Sequence, residues 1–131
     1  GETPFNPRLF KMNEMYYLFI DKGTFWDQME TMVYKYDAIT SDMTAKNWSD
    51  GQVVLGKEFG VDGDQANELN FGSVIKDIDN KYWALYSVGD EKYCRMYLDL
   101  IEFENNMPKE IKPSTTEQPA PVFKKEEQNP Q

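Results

Sequence analysis

The side chains that could do chemistry in this chain are carboxylates, hydroxyls and aromatic rings, because the sequence contains no histidine and a single cysteine, Cys94. Histidine is the commonest general base and the commonest metal ligand in proteins. Serine triads and histidine-based metal sites are therefore excluded, and Ser41 has no base to activate it. We expect no metal site and no cofactor, and one cysteine cannot form an internal disulfide.

Three side chains are suited to binding rather than to bond cleavage. Phe25 and Trp26 follow the first predicted hairpin, and their flat apolar rings suit the C–H face of a sugar. Arg95 interrupts an apolar strand, where an arginine usually pairs with a carboxylate or with the oxygens of a ligand. Inward packing of the two rings and an outward-facing arginine at a sheet edge are the alternatives. Trp48 and Trp83 are predicted to belong to the core.

The segment Asp62–Glu68 has the acidic density of a calcium-binding loop. An EF-hand, however, needs an oxygen ligand where Ala66 stands and a glycine where Asn67 stands. We interpret the segment as a polar loop between two structural units.

Length and charge narrow the class of protein. The chain has 131 residues, a net charge of -9 and a pI of about 4.5, which corresponds to one domain at most. Its acidity disfavours nucleic acid and anionic membranes as partners. No apolar run approaches the roughly 20 residues that span a bilayer. The aromatic content of 15% is typical of strands and not of disordered chains.

The composition changes near Asn105, where proline, serine, threonine, lysine and glutamate replace the apolar pattern. Proline steps prevent a regular strand ladder. The sequence therefore predicts a folded domain over residues 1–108, with 109–131 as a disordered tail or as a linker to a further domain.

An internal repeat organises the folded part. Residues 8–21 and 73–87 each carry an apolar pair that ends in a lysine, then a polar turn, an aromatic pair and an apolar run. The two lysines, Lys11 and Lys76, are 65 residues apart. Both segments are predicted to be β-hairpins, with turns at Asn13-Glu14 and Asp79-Asn80, because Asn and Asp tolerate a left-handed backbone.

Further strands follow each hairpin. Third strands are predicted over Met32–Thr40 and Tyr93–Phe103, with Tyr36 corresponding to Leu98, and a fourth over Gln52–Leu55. Because no segment shows a helical stripe, the predicted class is all-β. A period of this length with about four strands suggests consecutive propeller blades, over about 7–56 and 70–108. Two similar hairpins in a small β-sandwich are the alternative.

Several motifs, in this order, resemble one family of enzymes. Pro7 to Lys11 with Tyr16 to Phe19 is similar to a blade of the five-bladed furanosidase propellers, which include glycoside hydrolase family 43. The resemblance continues in four further segments: Ala38 to Asp42 with Trp48, Phe71 to Ile75, Tyr82 to Tyr86, and Arg95 to Phe103 with Met107-Pro108. It covers about residues 2–108 and implies that the chain corresponds to the two C-terminal blades of such a propeller.

The resemblance also implies an activity and its residues. Family members hydrolyse polysaccharides that contain arabinose or xylose, using an acid, a base and a third carboxylate at a central channel. Glu2 would be the acid, Glu68 would line the mouth of the channel, and Arg95 would reach toward it. Phe71 stands where relatives carry a histidine of a central ion site. The base and the third carboxylate belong to blades with no counterpart here, so the isolated chain is expected to be inactive.

The resemblance bears on partners and location as well. The expected partners are arabinan- or xylan-type carbohydrate and either the missing blades or a further domain. Because members of this family are commonly secreted or periplasmic, the resemblance implies one of these locations. A function from another class stays open: a small β-module that binds carbohydrate without chemistry, through Trp26 and neighbouring aromatics.

Overall fold

The computed structural model of the chain describes residues 3–24, 27–36, 48–56, 68–89, 94–111 and 121–123. All regular elements in these ranges are β-strands, so the predicted all-β class is confirmed for them. The first sheet is an antiparallel meander of four strands: β1 (Thr3–Met12), β2 (Met15–Thr24), β3 (Asp27–Tyr36) and β4 (Gln52–Leu55).

The second sheet contains three antiparallel strands: β5 (Glu68–Lys76), β6 (Tyr82–Gly89) and β7 (Cys94–Leu100). A small two-stranded hairpin follows, made of β8 (Phe103–Glu104) and β9 (Met107–Pro108). Its turn uses Asn105 and Asn106 with φ of 52° and 62°, a left-handed conformation that asparagine adopts readily. The change of composition near Asn105 therefore coincides with a turn inside the folded part.

Both predicted hairpins are confirmed. β1 and β2 are joined by Asn13 and Glu14, whose φ values of 50° and 64° are those of the two-residue turn that matches the strand twist. The turn between β5 and β6 is longer, and Asp77 organises it. One oxygen of its carboxylate, Oδ1, accepts hydrogen bonds from the backbone N–H groups of Asp79 at 2.8 Å and Lys81 at 2.9 Å.

The repeat is visible in the strand register. Lys11 lies opposite Tyr16 and Lys76 lies opposite Tyr82, and each ammonium sits over the ring of its partner, at 5.7 Å and 5.9 Å. The first strand of each hairpin also has a bulge just before the repeated segment, between Phe5 and Arg8 in β1 and around Gly72 in β5. The two hairpins are therefore equivalent units in backbone as well as in sequence.

The register corrects the predicted third strands. Tyr36 lies opposite Tyr16, whereas the residue that donates its backbone N–H to the carbonyl of Tyr82 is Ile101, at 2.8 Å. Tyr36 thus corresponds to Ile101 and not to Leu98. β3 begins before the predicted Met32, β7 ends at Leu100, and residues 37–40 lie outside the described ranges. The fourth strand has its predicted bounds.

The two sheets pack through different faces. We call the front face of the first sheet the one that carries Tyr17, Phe19 and Asp21 on β2. The equivalent residues of β6 are Trp83, Leu85 and Ser87, which define the front face of the second sheet. The opposite sides are the back faces: Tyr16, Leu18 and Ile20 mark that of the first sheet, and Tyr82, Ala84 and Tyr86 mark that of the second.

The front face of the first sheet meets the back face of the second. Phe71, which lies opposite Tyr86, stacks on Phe19 with ring centroids 4.3 Å apart and also contacts Phe10. At the turn end, the backbone N–H of Asn13 donates to the Tyr82 hydroxyl at 3.1 Å. These residues lie in one continuous core, so the sheets form a single packed unit.

The predicted boundary at residue 108 stays a prediction, but two described stretches beyond it contact the sheets. Ile111 is buried in the core and its backbone N–H donates to the carbonyl of Val54 at 2.8 Å. The carbonyl of Val122 accepts a hydrogen bond from the N–H of Ile78 at 2.6 Å. The chain after 108 therefore contributes to the fold at these two points.

Candidate functional site

The predicted site residues fall partly outside the described ranges. Glu2, Phe25 and Trp26 lie outside them, so their predicted roles stay predictions. Glu68 is the first residue of β5 and Arg95 is the second residue of β7, where its side chain is exposed. The structure describes nothing of the Glu68 side chain.

Glu68 and Arg95 belong to the same end of the second sheet. Glu68 lies opposite Gly89, and Gly89 lies opposite Cys94, the neighbour of Arg95. Two strand spacings separate β5 from β7, which corresponds to about 10 Å between backbones. The structure therefore brings these two residues to one sheet end, with β6 between them.

The corresponding end of the first sheet is the start of β1. Thr3 lies opposite Gly23, as Glu68 lies opposite Gly89. Thr3 is thus the equivalent of Glu68, and Glu2 comes one residue before that position. The start of β1 and the start of β5 are therefore corresponding points of the two units, occupied by Thr3 and Glu68.

Phe71, predicted from the motif resemblance to occupy the position of an ion-site histidine, is 1% exposed. Its ring lies between the sheets, stacked on Phe19, and the guanidinium of Arg8 sits 5.6 Å from the ring centroid. Phe71 is therefore part of the packing between the units. Trp83 is buried as predicted, and Trp48 is half-buried against Tyr36, with ring centroids 4.9 Å apart.

The most developed polar cluster surrounds Asp21, which the sequence analysis did not single out. Its side chain is fully buried on the front face of the first sheet. One oxygen, Oδ1, accepts hydrogen bonds from the Arg8 guanidinium at 2.8 Å and the Thr31 hydroxyl at 2.7 Å. The other, Oδ2, accepts one from the Asn6 amide at 3.4 Å. The sequence did contain a signal for this cluster: Asp21 comes two residues after Phe19, so in a strand both side chains lie on the same face.

The bulge in β1 makes this cluster possible. Phe5 lies opposite Asp21 but Arg8 lies opposite Phe19, so one extra residue is accommodated at Asn6-Pro7, where Asn6 has a φ of 52°. A bulge of one residue reverses which side chains face the core beyond it. Arg8 is therefore turned inward, while Leu9 is 42% exposed.

The chemistry of the Asp21 cluster is that of a structural ion pair. Both carboxylate oxygens are occupied by donors and the group has no contact with solvent, so it is not placed to exchange a proton with a substrate. The Arg8 Nε atom is buried without a hydrogen-bond partner. The cluster holds Arg8 against Phe71 and so ties the two sheets together.

Two tyrosine hydroxyls are held as hydrogen-bond donors. Tyr86 donates to Oδ2 of Asp99 at 2.6 Å, and its ring stacks on Tyr97. Burial raises the pKa of Tyr86, and the bond to Asp99 raises it further. Tyr17 donates to the carbonyl of Asn106 at 2.7 Å, and burial raises its pKa as well. Both hydroxyls therefore stay protonated at neutral pH and fix the core rather than act as bases.

Asp77 has the opposite shift. The hydrogen bond from the indole N–H of Trp83, at 2.8 Å, is the largest cause that lowers the pKa of Asp77 below its ordinary value of 3.8. Burial works against this shift, and the backbone N–H groups of Lys81 and Asp79 add to it. The carboxylate is therefore ionised at neutral pH and fastens the β5–β6 turn to Trp83.

A shallow groove of about 440 Å³ opens at the turn end of the molecule. Tyr82 and Phe103 contribute aromatic surface, and Asn13 and Asn80 contribute polar surface. Lys109, at its rim, lies 3.9 Å from the Glu102 carboxylate. Flat rings beside amide groups are the surroundings that suit a sugar.

Within the described residues, no group of three or more Cys, Asp or Glu side chains is arranged to hold a metal ion. In the same part of the chain, no helix is long and apolar enough to cross a membrane.

The chain matches no protein-family model, no curated protein and no solved structure in three comparisons. The arguments about function below therefore use its own residues and the motif resemblance.

Proposed function

We propose that this chain forms two consecutive blades of a larger β-propeller of the glycoside hydrolase family 43 type. One observation carries the proposal: the front face of the first sheet packs on the back face of the second. Blades of a propeller are equivalent units related by rotation about one axis, so each blade meets the next through unlike faces. The equivalence of Lys11 with Lys76, and of the two bulges, supports the interpretation of the two sheets as such units.

The sandwich alternative is less well supported by this packing. Two equivalent sheets related by a two-fold axis would bring like faces together, in an isologous contact. Front-to-back packing is heterologous and leaves one front face and one back face uncovered. Leu9 is 42% exposed on the first sheet, and Met96 is 75% exposed on the second. Further blades would cover both faces.

Within such a propeller, the proposed activity is hydrolysis of polysaccharides that contain arabinose or xylose. Glu2 is the proposed proton donor to the glycosidic oxygen, and Glu68 and Arg95 are proposed to contact substrate. The support is that the starts of β1 and β5 correspond to each other. Glu2 comes immediately before β1, and Glu68 is the first residue of β5. The reaction also needs a base and a third carboxylate, which the resemblance assigns to blades with no counterpart in this chain. The isolated chain is therefore proposed to be inactive.

The test compares the full product of the gene that encodes this chain with the 131-residue chain itself. Release of nitrophenol from aryl α-L-arabinofuranosides and β-D-xylosides should be found for the full product only. Glu2→Gln should lower kcat/KM by about 10²–10⁴-fold, since general acid catalysis contributes that much. Glu102→Gln, an exposed carboxylate at the turn end, is the matched control and should leave the rate unchanged. Turnover by the isolated chain, or equal rates for both variants, would contradict the proposal.

The second candidate function is a non-catalytic module that binds carbohydrate, and the groove at the turn end favours it. Tyr82, Phe103 and the two asparagines offer an aromatic and amide surface without any carboxylate pair. Titration with soluble arabinan and xylan should then change the tryptophan fluorescence of the isolated chain. Trp26→Ala would remove that change if Trp26 contacts the sugar, and Asn80→Ala would weaken it if the groove at the turn end binds the sugar.

A further inference from the structure

Among the described residues, two apolar faces on opposite sides of the packed unit are only partly covered. The open back face belongs to the first sheet and consists of side chains that are half-buried or exposed: Leu9, Tyr16, Leu18, Ile20 and Met32. The open front face belongs to the second sheet and consists of Ile75, Leu85, Met96, Leu98 and Leu100. Soluble monomers rarely leave contiguous apolar surface uncovered on two sides.

The contact inside the molecule shows which kind of surface fits each open face. A front face covers a back face between the two sheets, through Phe19 and Phe71. By the equivalence of the units, the open back face fits a front face, and the open front face fits a back face. One copy of the chain offers both surfaces, so a second copy supplies the complement of each.

In the part of the chain that the structure describes, the centres of the open front face and the open back face carry no charged side chain that would oppose their contact. On the open back face, the Lys22 ammonium donates to the Tyr34 hydroxyl at 2.7 Å and lies over the Tyr34 ring. The central strand positions of both faces, Ile20 and Leu85, are aliphatic. Covering these two side chains therefore buries apolar surface and no charge.

We infer that this chain binds a second copy of itself head to tail, with the open front face of one copy on the open back face of the next. The contact is heterologous, so it repeats until the ring closes. Two, three or four copies would give rings of four, six or eight blades, the sizes that propellers adopt. The inference goes beyond the proposed function, because it concerns the chain alone and requires no sugar and no catalysis.

Net charge predicts how the association depends on salt. Each copy carries a net charge of -9, so copies repel one another over long distances. Added salt screens that repulsion and leaves the apolar contact in place. The association should therefore tighten as the salt concentration rises from low to moderate values, which is opposite to the behaviour of a contact made by ion pairs.

Complementation between two blocked variants tests the inference. Ile20→Lys blocks the back face and Leu85→Lys blocks the front face, and each alone should weaken self-association at least about tenfold. An equimolar mixture keeps one intact front and one intact back, so it should form a heterodimer of twice the 15.3 kDa of one chain. Ile78→Lys changes the same charge at a turn residue that is 41% exposed, and should associate like the unchanged chain.

Sedimentation velocity and light scattering measure the masses, and circular dichroism confirms that each variant is folded. If a central lysine prevents folding, Leu9→Lys and Met96→Lys replace it, because both positions are already exposed. A monomeric unchanged chain at millimolar concentration would overturn the inference. So would a blocked variant that still dimerises alone, since that would show pairing of like faces, or a mixture that stays monomeric.

Discussion

Replacing Asp21 by alanine removes the acceptor that holds Arg8, Thr31 and Asn6 on the front face of the first sheet. Asp21 is fully buried, and the Arg8 side chain is 19% exposed. Alanine would leave a largely buried guanidinium without its carboxylate, while the Arg8 Nε atom already has no hydrogen-bond partner. The Thr31 hydroxyl would lose its acceptor as well.

The expected cost follows from these contacts. Removing one member of a buried ion pair usually costs about 3–5 kcal/mol. Because Arg8 keeps some access to water, we expect the lower end, about 3 kcal/mol. In a domain of roughly 100 residues that loss corresponds to a fall in Tm of about 12–24 °C. Arg8→Met combined with Asp21→Leu should recover at least half of it, since both charges are then removed.

Urea unfolding followed by circular dichroism measures the free energy of unfolding for each variant. The control is Glu102→Ala, which removes an ion pair of 3.9 Å between side chains that are 66% and 48% exposed. It should cost less than about 0.5 kcal/mol, as exposed pairs contribute little. If Asp21→Ala destabilised the chain no more than Glu102→Ala, the cluster would not hold the two sheets together as argued.

Three further predictions concern the turns and the bulge. Gly72→Ala should cost about 1–3 kcal/mol in chemical unfolding, because its Cβ would lie 2.9 Å from the carbonyl oxygen of Leu85. Glu14→Gly should raise the Tm, because Glu14 has a φ of 64° and a left-handed residue other than glycine costs about 1–2 kcal/mol. Asp77 has a lowered pKa in the folded state, so the stability that it contributes is present above its unfolded pKa of 3.8 and is lost as the pH falls below that value. Asp77→Asn should therefore flatten the fall of the unfolding free energy between pH 5 and the acid limit, measured against the unchanged chain.

Each of these predictions has an outcome that would contradict it. Ser73→Ala changes the neighbour of Gly72 in β5 and should leave the free energy of unfolding nearly unchanged. If both variants lost the same stability, the contact between a Cβ at position 72 and the Leu85 carbonyl oxygen would not be the cause. A lower Tm for Glu14→Gly would mean that its ion pair with Lys11, at 3.4 Å, outweighs the backbone conformation. Parallel acid profiles for the unchanged chain and Asp77→Asn would show that the bond from Trp83 does not perturb the carboxylate.

Local features of the sequence were enough to predict the class of fold and most of its strands. The turns at Asn13-Glu14 and near Asn80, and the strand Gln52–Leu55, follow from turn chemistry and alternating polarity over a few residues. The burial of Trp83 follows from its strand context. Such features are readable because the relevant interactions lie within about ten residues of one another along the chain.

The predicted site was less accessible to the same reasoning. Glu2, Phe25 and Trp26 lie outside the described residues, and Glu68 and Arg95 are brought to one sheet end only by strand pairing through β6. The Asp21 cluster was missed altogether. Its members Asn6, Arg8, Asp21 and Thr31 come from three strands, and only sheet register assembles them.

The sequence by itself therefore determined two equivalent β-hairpin units and their turns, because each depends on neighbouring residues. Only the tertiary structure decided which faces of those units meet. The bulge at Asn6-Pro7 turns the charged Arg8 inward and the apolar Leu9 outward, which is the reverse of what their polarity predicts. Arg8 is accommodated there because the buried carboxylate of Asp21, on the neighbouring strand β2, accepts its hydrogen bond. The stacking of Phe71 on Phe19 then joins unlike faces across a separation of 52 residues. Alternating polarity assigns residues to one side of a strand, but a one-residue bulge and the choice of facing sheet depend on contacts distant in the chain.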